Sequence, residues 1–263
     1  ARWGVQRGFE SIEAVLEDEC IDIFTVSSPT SSHAENFFAI VDSSNNTKGM
    51  WMEKPLASTP DASFRMSSTE LAFPVVVNYF RRWNPEILQF KKQLAEDIFG
   101  TIRHVSVRYT KGLKVNASHY IDLICWLVNE RPKGVVTRKS IDVLGSTEKG
   151  IDFSLSFSHF DANFEFIRDL DFVFLELDIF LSSGVIRIYQ RGQKIRFEKS
   201  VEDPDYKIFK SSQPSWDVET GWRTCFVRSF QCLLSLISEN NTSGNFLKEA
   251  YLIDQLCEDI TRG

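Results

Sequence analysis

Long apolar runs are absent from this sequence of 263 residues. No stretch approaches the about 20 consecutive apolar residues that a membrane-spanning helix requires, so we predict no association with a membrane. Basic residues are in the minority, since 30 lysines and arginines stand against 36 aspartates and glutamates, which gives a net charge of -6. An acidic balance of this kind argues against a surface that binds nucleic acid or an anionic membrane.

Cysteine is sparse, and no secretory presequence is visible. The five cysteines are scattered without C-x-x-C spacing, which predicts reduced, structural thiols in a cytoplasmic protein. They are Cys20, Cys125, Cys225, Cys232 and Cys257. We assign no metal ligands.

Apolar runs that suit buried strands alternate with helical patterns in the first third of the chain. The runs lie at 21–26, 50–53 and 74–79. Strand, helix, strand, helix, strand, with strands apolar throughout, is typical of a parallel sheet covered on both faces. Thr30 or Ser31 is expected to cap the first intervening helix, and Lys48 with Gly49 to close it.

The pattern changes after residue 85. Helices are predicted at 86–96 and 118–127, a strand at 102–109, and a succession of strands from 135 to 200. At 153–158, phenylalanine or leucine alternates with serine, as in a half-buried antiparallel strand. Two final helices are predicted at 222–236 and 246–260. The sequence therefore predicts an α/β unit followed by an open antiparallel sheet.

The apolar run at 50–52 leads directly into Glu53, Lys54 and Pro55. Pro55 must end a strand, because it removes a backbone donor. Glu53 and Lys54 would then stand at the carboxyl end of that strand, where open α/β sheets bind their ligands. A partly desolvated lysine beside a carboxylate suits proton transfer near neutral pH. The alternative is an ordinary surface Glu–Lys pair at a strand end.

Three strings stand in one order along the chain: VSSPTSSH at 26–33, EKPLA at 53–57 and NASHYID at 116–122. Together they closely resemble the Gfo/Idh/MocA family of NAD(P)-dependent oxidoreductases, over nearly the whole chain. The resemblance implies a Rossmann-type domain, of which 1–84 would be the remainder. It implies a second α+β domain at 85–263, with a large, open, mainly antiparallel sheet that binds substrate and forms homodimers or homotetramers.

The resemblance also implies residue roles. Lys54 would lie beside the nicotinamide and the substrate hydroxyl, with a cis Lys54–Pro55 bond, and His119 would be the acid–base partner. The residues expected at the cofactor are Ser28, Pro29, Thr30, His33, Glu53, Lys54 and Asn78. Those expected at the substrate are Arg82, Asn116 and Asp122.

Each role has a plainer alternative. His119 could be a buried structural histidine, and His33 could cap its helix instead of contacting the cofactor. Asp122 could orient the ring of His119 or cap local donors, and one arginine, as at Arg82, could pair with Glu53 or with a substrate anion. Residues 28–30 could form a plain capped turn.

Two further histidines, His104 and His159, are expected to be structural residues in strands.

One departure concerns the acid–base pair. Many relatives carry an aspartate four residues before the histidine, and Val115 occupies that position here, next to Asn116. Asn116 hydrogen-bonds but carries no charge, which weakens the usual Asp/His pair. The residues from Gly112 to His119 fit better a branch with Gly-x-x-x-Asn-x-Ser-His.

The Gly-rich turn and the first two strands of the family are absent from the sequence. Either they precede Ala1 in a longer chain, or the protein is truncated and lacks the cofactor. We expect the first, because the apolar run at 21–26 needs sheet neighbours on both sides. The choice between NAD and NADP stays open, since the residues that decide it would lie in the missing part.

The leading prediction is a cytoplasmic dehydrogenase or reductase that moves a hydride between NAD(P) and a hydroxyl or keto carbon of a sugar, cyclitol or nucleotide-sugar. A second hypothesis is a non-catalytic relative that senses dinucleotide or acts as a scaffold. A third is a redox-neutral, NAD-dependent lyase or glycosidase. The sequence does not identify the substrate.

Overall fold

The computed structural model describes residues 4, 6–17, 21–43, 46–143, 145–242 and 246–263. The chain forms two compact units, Ala1–Asn78 with Arg228–Asp254, and Tyr79–Val227 with Gln255–Gly263. The predicted domain division at residue 84 stays a prediction. Within the described residues, no helix is both long and apolar enough to cross a membrane.

The first unit contains a parallel sheet of three strands in the order β1-β2-β3. The strands are β1 (Ile23–Val26), β2 (Gly49–Met52) and β3 (Val75–Val77). Its first helices are α1 (Ile12–Leu16), α2 (His33–Asp42) and α3 (Pro60–Ser68). The sequence explains α3 directly, because Thr59 Oγ1 accepts the amide of Ala62 and Pro60 occupies the first turn.

The predicted bounds of α2 were wrong. The chain enters this helix through a 3₁₀ turn at Thr30–Ser32, and its cap residue is Ser32, whose side chain makes no capping hydrogen bond. The helix ends at Asp42, and Gly49 begins β2. A Cβ at Gly49 would lie 2.7 Å from Ile237 Cδ1, so the small size of glycine lets this side chain pack closely against β2.

The second unit is built on an eight-stranded sheet in the order β11-β10-β9-β8-β4-β7-β6-β5. All neighbours pair antiparallel except β4 and β7, which are parallel. Helices α4 (Pro85–Ala95) and α5 (Ser118–Val128) belong to the same unit. The strands are β4 (Ile102–Tyr109), β5 (Gly134–Asp142), β6 (Lys149–Ser156), β7 (Asp161–Phe166), β8 (Leu175–Leu181), β9 (Gly184–Tyr189), β10 (Lys194–Glu202) and β11 (Lys210–Glu219). The predicted fold class is thus confirmed.

The alternation of apolar and polar residues along a strand determines which face of this sheet is buried. Phe153, Leu155 and Phe157 are buried as predicted, while the serines between and after them are not. The strand β11 was not predicted, because its residues are mostly exposed and polar and lack that alternation. His159 was wrongly predicted in a strand, and it lies exposed in the turn between β6 and β7.

The last two helices are α6 (Thr224–Ser238) and α7 (Phe246–Arg262), close to their predicted bounds. Cys125, Cys225, Cys232 and Cys257 are reduced, while Cys20 lies outside the described residues. Burial raises the pKa of Cys125 to about 12, which keeps this group in the thiol form.

Candidate active site

The carboxyl ends of the three parallel strands meet at one edge of the first unit. Val26 pairs with Met52, and Met52 with Val77. The amide of Glu53 donates to Val26 O at 2.9 Å, and the amide of Asn78 donates to Met52 O at 2.8 Å. This pairing extends one residue past the strands, so it sets Glu53 and Asn78 at the edge where α/β sheets bind ligands.

The carboxylate of Glu53 accepts hydrogen bonds from two groups at this edge. Its Oε1 accepts Asn78 Nδ2 at 2.9 Å, and its Oε2 accepts the backbone amide of Lys54 at 3.3 Å. Asn78 is 1% exposed, whereas Glu53 and Lys54 are half-buried. The Lys54–Pro55 peptide bond is cis, as the resemblance implied.

His33 joins two loops of the same edge. Its Nδ1 lies 2.8 Å from Pro55 O, and its Nε2 lies 2.9 Å from Ser28 O. Both partners are carbonyl oxygens, which only accept, so a neutral ring can donate to one of them at a time. The side chain is buried, and it connects the turn after β1 with the loop after β2. Its predicted contact with a cofactor stays a prediction.

A buried carboxylate from α7 holds the far end of that loop. Asp254 Oδ2 accepts the amide of Ala57 at 3.2 Å and the hydroxyl of Ser63 at 2.6 Å. The segment 53–57 is therefore tied at Glu53, at Pro55 and at Ala57. Sequence reasoning missed Asp254, although it interrupts a helical stripe of buried residues formed by Ala250, Ile253 and Cys257.

In the second unit, a tight turn precedes the predicted acid–base histidine. Gly112 has φ 107° and ψ 167°, a region that essentially only glycine adopts. A π-helical turn follows at Leu113–Ala117, and Glu148 Oε2 accepts the amide of Lys114 at 2.9 Å. Turns of this type occur frequently at functional sites.

Asn116 lies in this π-helical turn. The side chain is buried, and its Nδ2 donates to Thr110 O at 2.7 Å. One function of Asn116 is therefore to hold the turn together. Its predicted contact with substrate stays a prediction.

His119 lies in the first turn of α5 and is 8% exposed. Its ring meets Phe80 edge-on, with centroids 5.2 Å apart, and lies 6.0 Å from the ring of Tyr79. Phe80 in turn stacks on Phe226 at 4.6 Å. These aromatic neighbours restrict the imidazole, and no sequence motif indicated them.

Arg82 and Asp122 form a buried ion pair. Arg82 Nε donates to Asp122 Oδ2 at 2.8 Å, and Arg82 Nη2 donates to Asp122 Oδ1. Asp122 is fully buried, which suits a carboxylate engaged at two points. From the sequence we expected Glu53 or a substrate anion as the partner of an arginine here. The structure instead pairs Arg82 with Asp122. Substrate binding by either residue stays a prediction.

The neighbouring residues Arg81 and Tyr120 are also buried. The guanidinium lies over the rings of Phe80 and Tyr120, at 4.5 and 5.3 Å from their centroids. Burial lowers the pKa of Arg81 below its usual range and raises the pKa of Tyr120 to about 12. Within the described residues, no group of three or more His, Cys, Asp or Glu side chains could hold a metal ion.

Comparison with known proteins gives a limited sequence match. The chain is 29% identical over 124 residues to the inositol 2-dehydrogenase/D-chiro-inositol 3-dehydrogenase of Shouchella clausii strain KSM-K16. The match covers 42% of this chain and 35% of that enzyme, so the chain spans about a third of the length of this relative. No protein-family model matches the chain.

Solved structures show the fold. Levoglucosan dehydrogenase, in complex with NADH and levoglucosan, superposes with a TM-score of 0.82 at 16% identity, covering 99% of this chain and 82% of that one. An oxidoreductase domain protein from Kribbella flavida gives 0.73 at 18% identity, covering 96% and 81%. The super-repressor mutant of Gal80p from Saccharomyces cerevisiae gives 0.78 at 14% identity, covering 97% and 81%.

The chain therefore has the two-domain fold that these oxidoreductases share. A protein named as a repressor has the same fold, so the fold alone does not define an activity.

Proposed function

We propose that the protein is an NAD(P)-dependent dehydrogenase or reductase that acts on a CH–OH group of a sugar, cyclitol or nucleotide-sugar. The observation that carries the proposal is the position of Lys54 at the carboxyl edge of a parallel sheet, in a loop tied at three points. The similar proteins named for inositol and levoglucosan, the latter with NADH, support the same chemistry.

The residues at this edge fit a dinucleotide. Ser28, Pro29 and Thr30 lie in the turn after β1, and Glu53 and Asn78 directly follow β2 and β3. Their hydroxyl, amide and carboxylate groups can bond the ribose hydroxyls and the carboxamide of NAD or NADP. A bound nicotinamide supplies or accepts the hydride.

Lys54 and His119 supply the proton chemistry in this proposal. The ammonium of Lys54 orients the substrate hydroxyl and stabilises the charge that develops on its oxygen. The imidazole of His119 takes the hydroxyl proton during oxidation and returns it during reduction. Asn116 contacts substrate, while the buried pair of Arg82 and Asp122 holds the start of α5 in place.

We further propose a cytoplasmic homodimer or homotetramer that assembles through the open face of the eight-stranded sheet. Charges on that face are already matched across strands, since Arg187 bonds Glu198 at 2.8 Å and Asp178 at 3.0 Å. A surface with paired charges can be covered without leaving an ion unpartnered. Light scattering on the purified protein measures the assembly, and a monomer at micromolar concentration would contradict it.

The activity is tested with full-length protein, NAD or NADP, and a panel of sugars, cyclitols and nucleotide-sugars, with the reduced nicotinamide followed by absorbance. The variants Lys54→Ala and His119→Ala should each lower kcat by about 10²–10⁴-fold, the usual contribution of general acid–base catalysis. His159→Ala is the matched control, because this histidine lies exposed in a turn.

Three outcomes would overturn the proposal. Turnover that survives both substitutions within about tenfold would remove the assigned roles. Dinucleotide binding without hydride transfer on any substrate would favour a sensor, and product formation without net reduced cofactor would favour the redox-neutral reaction.

A further inference from the structure

A chain of buried side chains ends on the carboxylate of Glu53. Trp51 Nε1 donates to Ser229 Oγ at 3.0 Å, Ser229 Oγ donates to Asn78 Oδ1 at 3.4 Å, and Asn78 Nδ2 donates to Glu53 Oε1 at 2.9 Å. Ser229 comes from α6 and is fully buried, with Cys225 and Leu233 one turn away on either side of it.

The direction of this chain follows from its two ends. The indole of Trp51 only donates, and an ionised Glu53 only accepts. Asn78 must therefore turn its NH₂ toward Glu53 and its carbonyl oxygen toward Ser229. Ser229 accepts from the indole and donates to that carbonyl oxygen. Ser229 therefore adds a second contact, on the carbonyl side of the Asn78 amide, that supports the orientation required by Glu53.

We propose that Ser229 is a positioning residue for the reaction at Lys54. Through Asn78 it fixes the carboxylate of Glu53, which in turn accepts the amide of Lys54 at 3.3 Å. Without the Ser229 hydroxyl, the Asn78 amide loses the contact on its carbonyl side, so it holds the carboxylate of Glu53 less firmly. The inference rests on the proposed function for its effect on turnover, although the orientation of Asn78 can be measured without substrate.

The kinetic test compares Ser229→Ala with Ser67→Ala in the full-length protein. Ser67 is buried in the same unit, and its hydroxyl bonds Phe64 O within its own helix, so its loss leaves Glu53 untouched. Ser229→Ala should lower kcat by about tenfold to a hundredfold, the scale of a small misplacement of a reacting group, with KM changed less than about twofold. Ser67→Ala should keep both constants. If Ser229→Ala does not fold, Ser229→Cys nearly keeps the volume and offers only a weak hydrogen bond.

A double-variant cycle separates positioning from plain destabilisation. Glu53→Gln replaces the carboxylate with an amide that accepts or donates, so it no longer requires one orientation of Asn78. In that background Ser229→Ala should change kcat by less than about twofold. An unchanged kcat in the single Ser229→Ala variant, or fully additive effects in the cycle, would overturn the proposal.

A substrate-free measurement distinguishes this inference from the proposed function. Nitrogen-15 NMR should show shifted signals for the Trp51 indole N–H and the Asn78 side-chain NH₂ in Ser229→Ala but not in Ser67→Ala. If the wild-type protein transfers no hydride while these signals shift, the proposed function fails and the orienting contact stands. Unchanged signals would overturn the contact itself.

Discussion

The imidazole of His33 lies 2.8 Å from the carbonyl oxygen of Pro55, across 22 residues of sequence. Its other nitrogen lies 2.9 Å from the carbonyl oxygen of Ser28. One buried ring thus connects the turn after β1 with the loop that carries Lys54.

Replacing this ring should loosen the edge of the parallel sheet. We expect His33→Ala to lower the free energy of unfolding by about 1–3 kcal/mol, because it removes a buried hydrogen bond and leaves its carbonyl acceptor unsatisfied. Hydrogen–deuterium exchange should also accelerate at 27–30 and 53–58. His159→Ala, at an exposed turn, should change neither the unfolding free energy nor the exchange rate. Equal exchange in the two variants would argue against a connection through His33.

Breaking the ion pair of Arg82 and Asp122 should be costly. Asp122→Ala leaves a buried guanidinium without this carboxylate, so we expect a loss of about 3–5 kcal/mol in denaturant unfolding. Asp217→Ala should cost much less, because its pair with Arg196 is partly exposed. The double variant Arg82→Leu/Asp122→Leu should be more stable than Asp122→Ala; a double variant that is equally unstable would contradict the pairing.

Gly112→Ala tests the turn that presents His119. A Cβ at Gly112 would lie 2.5 Å from Glu148 Cβ, in addition to the strain of φ 107°. Gly145→Ala is the control, because Gly145 has φ 71° but no atom within 4 Å of the added methyl. The control should lose about 1–2 kcal/mol from backbone strain alone. Gly112→Ala should lose more and should also lower kcat, and equal losses would show that the Glu148 contact is unimportant.

Two glutamates of the eight-stranded sheet should change the folding stability with pH in opposite directions. Hydrogen bonds from Arg187 are the main cause that lowers the pKa of Glu198. Its stabilising contribution is therefore present above the usual glutamate range and is lost as the pH falls through the folded-state pKa. Burial raises the pKa of Glu176, so its contribution is present below that range and is lost as the pH rises through the folded-state pKa.

The two directions are measured by comparing the free energy of unfolding at pH 3 and pH 7. Measurements at intermediate pH locate the transitions. Glu198→Gln should reduce the gain in stability from pH 3 to pH 7, whereas Glu176→Gln should increase it. Changes of the same sign in both variants would contradict the assignment.

The sequence predicted most elements because their signals are local. Alternation at 153–158, the cap and proline at Thr59 and Pro60, and the apolar run before Glu53 each act within a few residues. The same local signals misplaced the ends of α2. Gly49 resembles a helix terminator in sequence, but its small size serves packing against Ile237.

The amino-acid sequence alone was enough to predict the two kinds of sheet, the strand that leads into Glu53, and Lys54 and His119 as candidate residues. The contacts that hold the loop at Lys54 emerge only from the folded chain. Asn78 links Glu53 to Ser229, which bonds Trp51 across 178 residues, and Asp254 accepts the amide of Ala57 across 197 residues. Such partners leave no local pattern, because a buried hydroxyl or carboxylate finds its donor through packing between distant segments. Their one trace in the sequence is a polar residue on an otherwise apolar helical stripe.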